Sequence, residues 1–225
     1  MISPRRNLCL WAAALALSAS AARASTNNFI VPSFRGSASS EAGYWESFTV
    51  PFGAPGNLAN IAGATTGAIL TQVGSPSALI TGTGNLYDPV NLTSFTLTDS
   101  TPYILGTVVL QTRTLGSELV YGGVSLSYTD AAGSHTLPPL PRSELDRGTT
   151  LGASVSTLFQ WDLTGLNVNE YTISFGAAGS SLSFDAMTLD TWNSFQVVPE
   201  PSTYALIGAG ALLLGWRARR RKASA

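Results

Sequence analysis

Apolar side chains recur at every second position through the middle of the chain, and this period decides the fold class. The alternation is clearest in residues 93–97, 124–128, 155–163 and 171–175, and further short strands are predicted at residues 78–81 and 119–122. Side chains of a β-strand point alternately to the two faces of a sheet, so a period of two indicates strands with one buried face. No stretch between residues 25 and 198 shows the 3.6-residue period of an amphipathic helix.

Clusters of turn-forming residues separate these strands. Gly, Pro, Asn and Asp gather at residues 51–57, 82–85, 99–102 and 130–133. About eight to ten short strands divided by such turns predict an all-β fold over residues 25–197, an antiparallel two-sheet sandwich of jelly-roll-like form.

Two irregular features are expected within this sandwich. The proline-rich stretch 133–150 is predicted to be its longest loop. Within residues 182–189 the apolar positions change phase, which predicts a β-bulge near Asp185.

The N-terminal residues have the parts of a secretory signal peptide. A positively charged segment precedes an apolar run over residues 8–17, and Ala22 and Ala24 satisfy the small-residue rule for cleavage before Ser25. We therefore expect residues 1–24 to be removed on export.

The C-terminal residues combine a polar turn, an apolar run and a basic tail. Pro199, Glu200 and Pro201 are followed by an uncharged run over residues 204–216. A helix rises about 1.5 Å per residue, so this run is shorter than the ~30 Å hydrocarbon core, but its place beside a basic cluster predicts a single short transmembrane helix. The cluster that would stop transfer comprises Arg217, Arg219, Arg220, Arg221 and Lys222. Because basic segments stay in the cytoplasm, the β domain is expected to face the periplasm.

These three C-terminal features, in this order, resemble the PEP-CTERM protein-sorting domain over residues 198–225. The resemblance implies an exported protein of a Gram-negative bacterium that makes extracellular polysaccharide. It also implies a partner, an exosortase-type membrane transpeptidase that recognises Pro199, Glu200 and Pro201. The protein would be anchored transiently in the inner membrane, with its β domain in the periplasm, and would then pass to the cell surface or extracellular matrix.

Charge and residue usage argue against several classes of function. Residues 25–199 contain four basic and twelve acidic residues, a net charge of −8, so the domain is expected to repel nucleic acid. The only cysteine, Cys9, lies in the leader, and the only histidine is His135. A Ser-His-Asp triad would have to use that histidine, and a zinc site needs more nitrogen or sulfur ligands than the chain has. We therefore expect neither enzymatic activity nor a required cofactor.

Two weaker binding sites are suggested by single residues. In a predicted strand over residues 44–50, Trp45 has the opposite parity to Phe48 and Val50, so it is expected outside, where it could stack on a sugar ring. Calcium is a candidate ligand, because it binds several oxygens from carboxylates and backbone carbonyls, often in irregular loops. The candidate ligands, at predicted loops or strand ends, are Asp88, Asp185 and Asp190.

The leading hypothesis is a non-enzymatic structural or interaction protein of the cell surface or matrix. Its parts are a signal peptide (1–24), a β-sandwich ectodomain (25–197) and a sorting signal (198–225). One alternative is a carbohydrate-binding module of lectin type, with or without calcium, that uses Trp45. A less favoured alternative is a glycan-active enzyme built on a pair of carboxylates. Extracellular polysaccharide is a candidate partner in each.

Overall fold

A computed structural model describes residues 28–148 and 153–197 and confirms the all-β class. Within these residues the regular structure consists of β-strands and one short 3-10 helix, Tyr121–Gly123. The strands are β1 Ser40–Trp45, β2 Asn57–Leu58, β3 Ile69–Gln72, β4 Leu79–Ile80, β5 Leu86–Tyr87, β6 Ser94–Ser100, β7 Tyr103–Gly116, β8 Ser125–Asp130, β9 Gly133–Leu137, β10 Ser143–Gly148, β11 Ser154–Asp162, β12 Glu170–Gly176 and β13 Leu182–Val197.

The strands form two antiparallel sheets, as the alternation predicts. The larger sheet has the order β10-β11-β7-β13-β5-β4, and β1 pairs with β13 beside β5. The smaller sheet has the order β2-β3-β6-β12-β8-β9. Strands that follow one another in the chain often lie in different sheets, so the fold depends on contacts between distant parts of the sequence.

β13 is the longest strand and lies inside the larger sheet. It pairs with β7 from Leu182 to Val197 on one side and with β1 and β5 on the other. Its pairing with β7 shifts register between Phe184 and Ala186, so the bulge predicted near Asp185 is confirmed. Because of the bulge, Phe184 and Met187 both reach the core despite their opposite parity.

The inward faces of the two sheets enclose a core rich in aromatic rings. Phe184 of the larger sheet stacks on Phe95 of the smaller one, with ring centroids 4.8 Å apart, and makes a tilted contact with Phe175 at 5.6 Å. Phe95 and Phe175 stack on each other at 5.2 Å, so the three rings form a compact triangle. Trp161, which the alternation of β11 places inside, is buried as predicted. Burying one such side chain stabilises the fold by about 1.5–3 kcal/mol, so these rings are a principal link between the sheets.

The segment that precedes β1 covers part of the outer face of the larger sheet. Gln111 of β7 exchanges two hydrogen bonds of 2.8 Å with the backbone of Ile30. Arg35 donates two hydrogen bonds to the carboxylate of Asp190 on β13. Gln111 and Asp190 are fully buried in consequence, although alternation would place them on a solvated face.

Three segments differ from the sequence-based predictions. The predicted loop 133–150 contains β9 and β10, whose mostly polar side chains hide the alternation because both strands lie at sheet edges. The first strand ends at Trp45 and does not continue to Val50. The strand predicted over residues 119–122 is reduced to an isolated bridge at Leu119, followed by the 3-10 helix.

No helix within residues 28–148 and 153–197 is long and apolar enough to cross a membrane. The transmembrane helix predicted over residues 204–216 lies outside these residues. So do the signal peptide and its predicted cleavage residues Ala22, Ala24 and Ser25.

Candidate functional site

The described chain ends where the predicted sorting signal begins. β13 ends at Val197, and Pro199 is two residues further along the chain. Two residues span at most about 7 Å, so the signal is joined to the sheet without an intervening linker. Pro199, Glu200, Pro201 and the basic cluster at 217–222 lie outside the described residues. The predicted signal therefore begins immediately after the last described strand.

The predicted exposure of Trp45 is wrong. Its side chain is fully buried, and its indole Nε1 donates a hydrogen bond of 3.0 Å to the carbonyl oxygen of Asn57. The parity argument fails because the chain leaves the strand after Trp45, so Trp45 and Phe48 both point into the core. A buried ring cannot stack on a sugar, which removes the residue on which the lectin alternative depended.

Asp88, the first calcium candidate, caps a loop between β5 and β6. One carboxylate oxygen accepts hydrogen bonds of 2.8 Å from the backbone amides of Val90 and Asn91, and the other accepts from the hydroxyls of Ser75 and Ser77. These hydrogen bonds hold the pKa of Asp88 well below its usual range despite its burial, and the bond from the amide of Asn91 has the largest effect. Both oxygens are engaged by the protein, so this carboxylate orders the loop.

The other two calcium candidates each have an arginine partner. Asp190 is fully buried beneath Arg35, whose guanidinium makes a two-pronged contact with it. Asp185, at the bulge, lies 3.4 Å from Arg113. The structure does not bring Asp88, Asp185 and Asp190 together, and no group of three or more His, Cys, Asp or Glu able to hold a metal occurs in the described part of the chain. The three candidate residues therefore form no shared metal site in the described part of the chain.

His135 lies in edge strand β9, not in a turn as its sequence context indicates. Its ring stacks on Tyr128 with centroids 4.9 Å apart, and its Nε2 is 2.9 Å from a carboxylate oxygen of Asp130. It lines a polar cavity of about 310 Å³ where β8 and β12 diverge. The neighbouring Ser134 points to the opposite face of the strand and pairs with Thr129, so the two do not form a nucleophile and base.

An ionic network connects Glu118 and Glu144 with two arginines. Arg147 lies 2.8 Å from Glu144 and 2.6 Å from Glu118, and Arg142 lies 3.9 Å from Glu144. Hydrogen bonds from Arg147 and Tyr121 lower the pKa of Glu118 to about 2. A carboxyl group that stays ionised at neutral pH cannot act as the general acid of a glycosidase.

Sequence reasoning missed a polar group at one end of the sandwich interior. It contains Glu41 of β1, Asp99 of β6, and Thr191 and Asn193 of β13, and is called here the polar end. The sequence placed Asp99 in a turn, yet Thr93, Phe95, Leu97 and Asp99 share one parity and are all buried. Extending that alternation by two residues would have placed the carboxylate inside.

The described residues form an all-β domain of two sheets, and the chain continues beyond Val197. Residues 197–221 match the PEP-CTERM protein-sorting motif. The chain therefore carries a signal that directs an exported protein to an exosortase, with transient anchoring in the membrane before release. No curated protein sequence matches the chain.

Proposed function

We propose that this protein is an exported structural or interaction protein of the cell surface or extracellular matrix, processed at Pro199, Glu200 and Pro201 by an exosortase-type transpeptidase. The observation that carries the proposal is the match of residues 197–221 to the sorting motif. Proline fixes its own φ and disfavours helix in the preceding residue, so two prolines keep a peptide extended for an enzyme groove. The apolar run and basic tail hold this peptide at the membrane.

The β domain acts through its surface and not through catalysis in this proposal. The support lies in residue usage, with one histidine in the whole chain and its single cysteine in the leader. The net charge of −8 over residues 25–199 disfavours nucleic acid and favours a neutral or cation-bridged polysaccharide as partner. The leader at residues 1–24 places this domain in the periplasm before its release.

Replacement of Pro199, Glu200 and Pro201 by alanine tests the sorting step. We expect the variant to accumulate in the inner-membrane fraction with its C-terminal tail intact, while the wild-type protein is released in a shorter form. Cell fractionation and intact mass measure both. A matched control replaces Arg219, Arg220 and Arg221 by lysine, which keeps the positive charge, and should be processed normally. Normal processing of the alanine variant would show that the sorting assignment is wrong.

A further inference from the structure

Two carboxylates from opposite sheets point toward the same end of the sandwich interior. Glu41 shares the inward face of β1 with Gly43 and Trp45, and Asp99 shares the inward face of β6 with Leu97. Asp99 is buried and Glu41 is half-buried. Each sheet therefore contributes one acid to the polar end.

Hydroxyl groups connect these two acids. Thr66 donates from its hydroxyl to Oδ2 of Asp99 at 3.1 Å, and its backbone amide donates to the carbonyl of Ala42, next to Glu41. Thr101, two residues after Asp99, donates to Oε1 of Glu41 at 3.4 Å. The contacts bring both carboxylates into one polar group.

Several oxygens of this group have no partner. Within the described residues, Oδ1 of Asp99, the hydroxyl of Thr191 and both amide atoms of Asn193 are buried and make no hydrogen bond. Thr191 pairs with Glu41, and Asn193 pairs with the core residue Leu105, so both side chains point inward. A buried polar atom left unpaired costs about 1–3 kcal/mol, so several at one place indicate a bound species that satisfies them.

No basic side chain in residues 28–148 or 153–197 forms an ion pair with Glu41 or Asp99. Each arginine there pairs with an acid elsewhere: Arg35 with Asp190, Arg113 with Asp185, Arg142 with Glu144, and Arg147 with Glu118. Burial raises the pKa of Asp99, and burial together with the charge of Asp99 raises the pKa of Glu41. The site lacks a positive charge that would compensate the two carboxylates.

We propose that the polar end binds a calcium ion through the carboxylates of Glu41 and Asp99, the amide oxygen of Asn193 and the hydroxyl of Thr191. Calcium takes six to eight oxygen ligands in flexible geometry and accepts carboxylate and amide oxygens together, with water completing the shell. Zinc is disfavoured because these residues supply no nitrogen or sulfur ligand, and magnesium demands a stricter octahedron. The bound ion joins β1 and β13 of the larger sheet to β6 of the smaller one.

The test is calcium binding to the purified full-length protein, starting from chelator-treated material. Terbium serves as a luminescent probe, because Tyr171 donates to Asp99 at 3.1 Å and is placed to sensitise it. We expect terbium luminescence that calcium displaces. A hundredfold excess of calcium over its Kd should raise Tm by about 5–10 °C.

Three variants make the test specific. Asp99→Asn should weaken calcium binding about tenfold or more. Thr191→Val removes one neutral ligand and an unpaired hydroxyl, so it should weaken calcium binding without lowering Tm in chelator. Glu170→Gln, on the outward face of β12 at the same end, is the matched control and should bind calcium as the wild type does.

The proposal is overturned if calcium leaves Tm unchanged and terbium gives no displaceable signal. It is equally overturned if Asp99→Asn and Thr191→Val bind calcium like Glu170→Gln. If stability depends on pH but not on calcium, the proposal is also overturned, and a shared proton or a water molecule occupies the polar end instead. Because Thr191→Val retains both acids, it tests the site even where Asp99→Asn fails to fold.

Discussion

Gly43 lies where the inward face of β1 meets Trp45 and the segment before β3. A Cβ atom at this position would lie 2.5 Å from Cγ2 of Thr66 and 2.8 Å from the ring of Trp45. Both neighbours are confined, since Trp45 is fully buried and Thr66 bonds to Asp99. Glycine is therefore required here by close packing.

Gly43→Ala should destabilise the protein by about 1–3 kcal/mol, because the added methyl overfills a packed interior. Urea denaturation measures the change. The control is Gly67→Ala, where a Cβ would meet no atom within 4 Å and the free energy of unfolding should stay nearly constant. Equal effects of the two substitutions would contradict the packing argument.

At the level of single residues, alternation predicts orientation only while a strand continues. Trp161 lies in the middle of β11, and its burial follows from parity. Trp45 is the last residue of β1, so parity counted back from Phe48 crosses the end of the strand and gives the wrong face. The polar end was hidden for another reason, because Glu41 and Asp99 carry the charge that usually marks a solvated position.

The contacts that attach the segment before β1 to the larger sheet include a partly buried ion pair between Arg35 and Asp190. Asp190 has no exposed surface, whereas the side chain of Arg35 is 28% exposed and screens it from solvent. Burial raises the pKa of Asp190, and the charge of Arg35 opposes that rise. Arg35 therefore stabilises the ionised carboxylate of Asp190, which would destabilise the fold if it were buried without a partner.

Arg35→Ala should cost about 3–5 kcal/mol at neutral pH, because it leaves the carboxylate of Asp190 buried without a partner. The double variant Arg35→Ala with Asp190→Asn should recover most of this loss, since no buried charge remains. Denaturant titration of the two variants and the wild type gives the comparison. A double variant as unstable as the single one would mean that lost packing, and not the charge, sets the cost.

Among the elements, strands that bury one face could be predicted, whereas the edge strands β9 and β10 could not. β12 alternates throughout, and β11 alternates from Thr157 to Asp162, because one face of each strand meets the core. β9 and β10 have no fully buried position, and their polar Ser, His, Glu and Arg side chains are typical of a loop. The sorting signal was found from composition and order alone, since a transpeptidase reads it as a peptide.

Across the whole molecule, the acids fall into two groups with opposite effects on stability. The pKa of Glu118 is lowered to about 2, so its stabilising contribution is present above its unfolded value of 4.5 and is lost as pH falls toward 2. The pKa values of Asp99 and Glu41 are raised, so their contribution is present at low pH and is lost as pH rises through the folded values. Without calcium, the two groups favour greatest stability at mildly acidic pH.

In chelator, the Tm of the wild type should therefore fall as pH rises above about 4.5 through the folded pKa values of these acids. Asp99→Asn should flatten this decline, because the buried group can no longer ionise. Glu170→Gln, which alters an exposed carboxylate, should leave it unchanged. Thermal unfolding across a pH series gives the three curves, and coincident slopes would contradict the assignment to Asp99.

The position of β13 links the order of synthesis to the assembly of the larger sheet. β1, β5 and β7 all pair with this strand, and among the described strands it is the last to be synthesised. The larger sheet cannot close until residues 182–197 have been synthesised, and the sorting motif over residues 197–221 follows them directly. A chain truncated before residue 182 lacks both the strand that completes the larger sheet and the sorting motif over residues 197–221. Incomplete chains are therefore neither folded nor marked for sorting.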